Sequence, residues 1–416
     1  MKIKNSVSLP ARRKRKTAFP SESQTVVNPK LELIQTLIPI ALECVQEVLQ
    51  QEVEQLAGPR YSHDDAKGEY KRWGQQRGSI YLGDQKVPIQ VPRVRNVQRR
   101  QEIPLVNYHH LQRPVALEDQ LFVRIIRGLS CRQYERASRL VPAAFGLSRN
   151  QISRRFIRQS AKKLKALLER RLEPYTFVAL VLDGKTFGEA QMIIALGITS
   201  TGEKVMLGFV ESGTENSRVC TEFLQSLVAR GLSAQHGLLA VIDGSKGLRK
   251  AITEVFGDRV VVQRCQWHKR ENVIAYLPKT QQESMRQKLQ QAYEQPTYEQ
   301  AHGALLKIRR ELQSLNQSAV ASLDEGLEET LTLHRLGLFK ELGVSLKTTN
   351  SLESINAQLE RLTRKVTHWR NSSQRQRWLA SALLEIEPNL RRIKGYRHLP
   401  QLQMALQRNL KRAFQP

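Results

Sequence analysis

The segment FVALVLDGKTFGEAQMIIALGITSTGEKVMLGFV, Phe177 to Val210, decides the fold of this chain. Phe177–Leu182 and Met192–Ile198 are apolar runs of strand length, and Lys204–Val210 is a third, joined to the second through the Ser200-Thr201-Gly202 turn. Beyond them a helical pattern covers about Ser217 to Ala229, followed by a strand at Leu238–Ile242, a helix at Leu248–Phe256 and a strand at Val260–Val262. Three consecutive strands followed by alternating helix and strand predict a mixed sheet with helices on its faces. From Asn272 to about Leu342 the strand pattern stops, and Gln-, Glu- and Leu-rich helical sequence takes over to the C-terminus.

Toward the N-terminus the pattern is different. Residues 1–30 carry the run Arg12-Arg13-Lys14-Arg15-Lys16 and little hydrophobic periodicity, which suits a mobile basic arm. An amphipathic helix over 31–57 ends at Gly58-Pro59, and Gly78–Pro92 reads as two short strands around a Gly83-Asp84 turn. Helices follow at Leu117–Gly128 and Arg132–Val141, and a third begins near Ser148. The segment 132–160 has the outline of a helix-turn-helix, whose last helix carries Arg149, Asn150, Gln151, Arg154, Arg155 and Arg158 as candidate DNA contacts.

Composition narrows the function. The 416 residues hold 66 Lys+Arg against 39 Asp+Glu, a formal charge of +27. An excess of this size, spread along the chain, calls for a polyanionic partner, and nucleic acid comes first. No run approaches the roughly 18 apolar residues of a membrane span. The basic N-terminus lacks the apolar stretch of a secretory signal. Cys44, Cys131, Cys220 and Cys265 have no paired spacing, as expected of a reducing, cytoplasmic setting. With 6 % aromatic residues and no aromatic RNA-recognition pattern, RNA is the weaker candidate.

Three acidic residues stand out by position. Asp183 and Asp243 each close an apolar run on Asp-Gly, which places a carboxylate at the carboxyl edge of a sheet. Glu353 lies in the first turn of a helix starting around Thr348–Asn350. Two strand-borne aspartates and a helix-borne glutamate are the hard oxygen donors that a pair of Mg²⁺ ions takes, with Mn²⁺ as a substitute. Each also has a plainer reading: Asp-Gly is a common turn, and Asn350-Ser-Leu-Glu353 fits a capping box with Glu353 at the third helical position.

Their company is more specific. Asp243 is followed by Gly-Ser-Lys-Gly-Leu-Arg-Lys, and then by Gln-Arg-Cys265-Gln-Trp-His268-Lys-Arg-Glu-Asn272; the glutamate sits in Thr-Thr-Asn350-Ser-Leu-Glu353-Ser-Ile-Asn356. These blocks resemble the mutator-type transposases of bacterial insertion sequences, over roughly 175–385. The resemblance implies a DDE triad of Asp183, Asp243 and Glu353 on an RNase H-like α/β core, with an all-helical insertion before the glutamate. A mostly helical N-terminal DNA-binding region with a small β unit would precede that core. It further implies binding of terminal inverted repeats and of target DNA, strand cleavage and joining, and a homodimer or higher assembly on double-stranded DNA in the bacterial cytoplasm, nucleoid-associated when bound. Where the family often has an arginine shortly after its first aspartate, this chain has Lys185 and Glu189. The regions expected are then 1–30, 31–172, 173–272, 273–345 and 346–416.

Cys265 and His268 have the spacing of half a zinc site, but structural zinc takes four ligands and no second pair exists. They are expected beside the carboxylates, with Cys265, His268, Asn350 and Asn356 supporting the motif. Lys269, Arg361 and Arg364 are expected to hold DNA, and Trp267, Trp369 and Trp378 to pack in the core. A DNA-binding protein without catalysis, and an RNase H-like nuclease without strand transfer, are the alternatives.

Overall fold

The structure is a computed structural model and describes residues 29–60, 69–82, 85–112, 115–130, 145–146, 149–212 and 216–413. The basic arm, the Gly83-Asp84 turn, the expected helix 132–141 and residues 147–148 lie outside these. The chain divides into two compact units, 1–114 with 139–145, and 115–138 with 146–416.

The smaller unit packs the Pro29–Ala57 helix and the short Val106–Gln112 helix against an antiparallel hairpin of β1 (Tyr70–Leu82) and β2 (Gln85–Asn96), with β3 (Gln101–Ile103) beside β2. Side chains alternate across a strand, so Val87, Ile89 and Val91 face the same way and meet Leu49 and Val53 of the helix. Gly74, at φ 77°, supplies the bulge that shifts the register between Arg72 and Gln75. The hairpin is much longer than the two short strands expected. A two-residue strand, β4 (Phe145–Gly146), comes next in the chain.

In the larger unit a five-stranded sheet has the order β7-β6-β5-β8-β9, with β5 (Phe177–Phe187), β6 (Ala190–Thr199), β7 (Lys204–Ser212), β8 (Leu238–Ile242) and β9 (Val260–Arg264). The β5, β6 and β7 strands form an antiparallel meander, while β8 and β9 run parallel to β5. Alternation again sorts the faces. Leu180, Leu182, Ala240 and Ile242 join the Ser217–Ala229 and Lys246–Phe256 helices in one core. Val181, Leu239 and Val241 face the opposite core, made with the Asn350–Thr363, Ser372–Ile386 and Leu399–Ala413 helices.

Between β9 and Glu353 the chain is all helical, and Val273–Leu331 assembles its own apolar core, including Leu289, Leu305, Leu312 and Leu323. One expected boundary moves. The Val115–Ile126 and Arg149–Leu168 helices belong to the larger unit and not to an N-terminal region ending at 172. Phe156 stacks on Phe122 with centroids 5.5 Å apart and on Trp378 at 4.9 Å, which ties that helix to the core through a residue more than two hundred positions away.

Candidate active site

The parallel ladder between β5 and β8 ends on the pair Leu182–Ile242, so the next residues of the two strands, Asp183 and Asp243, stand side by side. Both continue the alternation of Val181 and Val241, which turns their carboxylates toward the face covered by the Asn350–Thr363 helix. Asp183 does not end its strand, contrary to expectation. Here β5 runs on to Phe187, and Asp183 pairs with Ile194 in the β5–β6 hairpin. The Asp-Gly turn reading therefore fails at Asp183, because β6 continues to supply a hydrogen-bonded partner after β8 stops.

At Asp243 the chain does turn. Gly244 adopts φ 113°, the Asp243 carboxylate accepts the Ser245 N–H at 3.1 Å, and the Ser245 hydroxyl accepts Leu248 N–H at 3.3 Å to cap the Lys246–Phe256 helix. Glu353 enters from the third side. Its helix is capped by Thr349 without a side-chain cap bond, so Asn350 is the first helical residue and Glu353 the fourth. The capping box does not form. Instead the buried Thr349 hydroxyl reaches Glu353 Oε1 at 3.5 Å and Cys265 Sγ at 3.8 Å.

Asp183 feels the other two carboxylates. Asp183 is 6 % exposed. Burial first, then the charge of Asp243, pushes its carboxyl up to about 7; His268 opposes and Glu353 adds to the rise. His268 answers from the opposite sign. Burial would depress its imidazole, but contact with Cys265 and then the charges of Asp183 and Asp243 push it up to about 9, so it is a cation at neutral pH. Cys265 is buried at the N-terminus of the Gln266–Ile274 helix, its N–H donating to Ile242 O at 2.7 Å, which sets the Cys-x-x-His segment beside Asp243.

The residues suit hard cations rather than zinc. Among the described residues, no three His, Cys, Asp or Glu side chains converge as a ready ligand set. Magnesium does not ask for one, since it keeps waters and takes one or two carboxylates together with substrate phosphates. A carboxylate driven toward protonation by burial and then by its acidic neighbours is relieved by added positive charge.

Other expected residues fall variously. Lys269 is fully buried, its ammonium donating to Ser322 O at 2.6 Å with Glu325 at 3.8 Å; it anchors the helical insertion and presents nothing to DNA. Trp267 is 45 % exposed, edge-on to His268 with centroids 4.9 Å apart, and is not core. Trp369 and Trp378 do pack against the core, as expected. Asn350 is exposed, whereas Asn356, one turn past Glu353, is buried with its Oδ1 unpartnered. Arg361 and Arg364 are exposed on the glutamate's helix, and Lys365 donates to Gly128 O at 2.9 Å. On the Arg149–Leu168 helix, Ile152 and Phe156 face the core while Asn150, Gln151, Arg154 and Arg158 are exposed and Arg155 is half-buried; the Arg149 side chain lies outside the described residues. Lys185, in place of the family's arginine, pairs with Glu360 at 2.5 Å.

Sequence reading missed Arg264. It is buried at the end of β9, and its guanidinium donates to Gly244 O at 3.2 Å and to Glu325 O at 3.0 Å, joining the turn after Asp243 to the insertion. A Cβ on Gly244 would lie 2.4 Å from Arg264 Nε, so glycine is required there on two grounds. The only sequence signal was a cation at the end of an apolar strand.

The family model described as "Transposase, Mutator family" matches residues 14–392, so the likeness reaches well into the N-terminal unit. The transposase for insertion sequence element ISRM5 of Rhizobium meliloti is 27 % identical over 374 residues, 86 % of this chain and 89 % of that protein. The transposase for IS256 in transposon Tn4001 of Staphylococcus aureus is 26 % identical, covering 72 % of this chain and 76 % of its own length. The transposase for IS6120 of Mycolicibacterium smegmatis is 28 % identical over 58 % of this chain and 75 % of its own.

Proposed function

The chain belongs to the Mutator family of transposases, and on that premise we propose that it cleaves and joins DNA at the terminal inverted repeats of a mobile element, through a DDE site on an RNase H-like core. The observation that carries this reading is the pairing of β5 with β8, which sets Asp183 beside Asp243 at the end of a parallel ladder, with Glu353 of a distant helix near enough to help raise the Asp183 carboxyl. The sheet order, an antiparallel meander continued by two parallel strands, supports the core assignment.

Asp183, Asp243 and Glu353 would hold two Mg²⁺ ions. Bound there, such a pair supplies a nucleophile at neutral pH and stabilises the leaving oxygen of an in-line displacement. The chain's own residues prepare the place. The Ser245 N–H fixes the Asp243 carboxylate, the Thr349 hydroxyl steadies Glu353, and the cationic His268 offers a phosphate a partner beside the aspartates. Exposed Arg361 and Arg364 continue from the glutamate's helix and give the strand a cationic track, and the exposed row Asn150, Arg154 and Arg158 offers a further one. An in-site attack by a freed 3′-hydroxyl on target DNA would need no covalent protein–DNA intermediate, and work on two element ends requires at least a homodimer.

The test uses a labelled duplex ending in the element's own repeat, with Mg²⁺ and a target plasmid. Wild type cleaves and joins it, and Asp243→Ala and Glu353→Ala do neither while still binding. Cleavage that survives Glu353→Ala removes that residue from the site. Tight binding by wild type without cleavage, in Mg²⁺ or Mn²⁺, establishes a DNA-binding protein instead.

A further inference from the structure

The two faces of the β1–β2 hairpin treat their cations differently. Arg72 and Val94 are opposite one another on the face toward the Pro29–Ala57 helix. There Val94 is buried, and Arg72 donates to Gln50 Oε1 at 3.2 Å and to Gly58 O at 2.9 Å. On the other face Lys71 stands directly opposite Arg95. Like charges so placed repel, and the hairpin carries them at a cost to its own stability. Past the bulge at Gly74, Val91 packs toward the helix with Gln76 opposite it. Alternation then turns Arg77 and its partner Gln90 outward, and Tyr81 with its partner Lys86 after them.

Little on this face answers the charge. Glu102, opposite Arg95 on β3, gives both carboxylate oxygens to Arg93, at 2.8 and 2.6 Å. Among the described residues Lys71, Arg77 and Lys86 have no ion-pair partner. Arg95 is held in place instead. Its guanidinium donates to Arg100 O at 3.0 Å and lies over the half-exposed Trp73 ring, 4.5 Å from the centroid. Such a brace orders a long cationic side chain before any partner arrives.

We propose that this outward face enters the major groove of duplex DNA and reads the element's terminal repeat. The proposal rests on the DNA-cleaving function above and gives that function its contact with the element end. Size favours it. From Lys71 to Tyr81 the ribbon runs roughly 33 Å at about 3.3 Å per residue, close to one turn of the double helix at roughly 34 Å. A two-stranded ribbon fits the major groove of B-form DNA, roughly 12 Å wide, but not the narrow major groove of duplex RNA. The chemistry divides along the ribbon. Lys71 and Lys86, near its two ends, suit the phosphates of the groove walls. Arg77 and Gln90, exposed and paired across the middle, are the side chains that bond guanine and adenine edges.

The experiment uses the full-length protein and a labelled duplex of the element's own repeat, lightly methylated with dimethyl sulfate. That reagent marks guanine N7 in the major groove and adenine N3 in the minor groove. Methylation at a cluster of guanines is expected to weaken wild type at least about fivefold. With Arg77→Ala, part of that cluster loses its effect, while binding to a scrambled duplex stays as in wild type. The double variant Lys71→Ala, Lys86→Ala weakens binding to both duplexes and makes the log–log salt slope shallower by about 2. A merely structural role would lower the fraction of active protein and move neither the slope nor the positions of interference. The ribbon contact is overturned, and DNA cleavage left standing, if Arg77→Ala keeps the wild-type interference pattern or if only adenine N3 interferes. A wild-type salt slope in the lysine variant, or equal binding of an RNA duplex of the same sequence, overturns it as well. A wild type that binds none of the duplexes removes the DNA-cleaving function and this contact together.

Discussion

The strand half of the site and the insertion half are held by opposite means. Asp183 and Asp243 are placed by backbone, since a parallel ladder and the alternation of side chains leave them no other position, and their cost is electrostatic. The insertion half is placed by side chains that reach backbone carbonyls. Arg264 bonds Gly244 and Glu325, Gln263 and Gln266 bond Thr330, and Lys269 bonds Ser322. The difference teaches that β9 has two roles, an edge strand of the sheet and a belt for the insertion. It follows that neutralising the strand half stabilises the metal-free protein, while cutting the belt destabilises it.

The largest effect is expected where the halves join. Gly244→Ala places a methyl 2.4 Å from the Arg264 guanidinium at a φ of 113°. Strain of about 1–3 kcal/mol and overpacking of about 1–3 kcal/mol act together there. Chemical denaturation is expected to give a loss of about 3 kcal/mol or more, part of which Arg264→Met restores in the double variant. Equal losses with and without Arg264 would separate the two halves.

The opposite sign is expected at Asp183. Its folded carboxyl titrates near 7 against an ordinary value of 3.8, so the folded state binds the proton more tightly than the unfolded state. Stability from this group is full below about pH 4 and declines as the pH rises through 7. Asp183→Asn is expected to flatten that decline and to raise stability at pH 8 by on the order of 2 kcal/mol without Mg²⁺. Mg²⁺ should raise the thermal midpoint of wild type and leave the variant nearly unmoved. A variant less stable than wild type at pH 8 would contradict the electrostatic account.

Gln263 probes the belt alone. It is wholly buried, its Nε2 donating to Thr330 O at 2.8 Å and its Oε1 accepting Leu333 N–H at 2.9 Å. Gln263→Leu orphans the Leu333 amide and is expected to cost about 1–3 kcal/mol. Because Gln266 still serves Thr330 O, the loss should fall below that of Gly244→Ala. Protease nicking confined to 266–346 would show that the insertion loosens first.

How much of this was legible follows the same division. The Ser217–Ala229 helix and Leu238–Ile242 strand have the bounds expected, because local periodicity decides them. The three acidic residues were proposed from apolar runs closing on Asp-Gly and from motif, although Asp183 lies within its strand and not at its end. What failed depended on distant partners. The continuation of β5 past Asp183 is set by β6, with Lys185 and Thr186 disguising the strand. The solvent-facing Trp267 and the buried Lys269 are two residues apart on one helix, and only the packing of the insertion decides which of them is covered. The Arg149–Leu168 helix looked separate from the sheet's core because Trp378, which packs on Phe156, is so far along the chain.

Lys269 gives the smallest and most selective test. Burial and the neighbouring Arg264 push its ammonium down to about 8 from 10.5, against the pull of Glu325. Between those two values the unfolded chain binds the proton that the folded chain has lost. Stability from this group therefore rises with pH across the window and is flat below it. Lys269→Met keeps the length of the side chain, removes that rise, and gives up the bond to Ser322 O. At pH 7 the two changes oppose one another, since a desolvated charge is removed while a carbonyl loses its donor, so a net change of about 1 kcal/mol or less is expected. Denaturation midpoints of wild type and variant measured from pH 7 to 10 should converge or cross only through the alkaline arm. Parallel curves would mean that the ammonium stays hydrated and that Lys269 is no part of the belt.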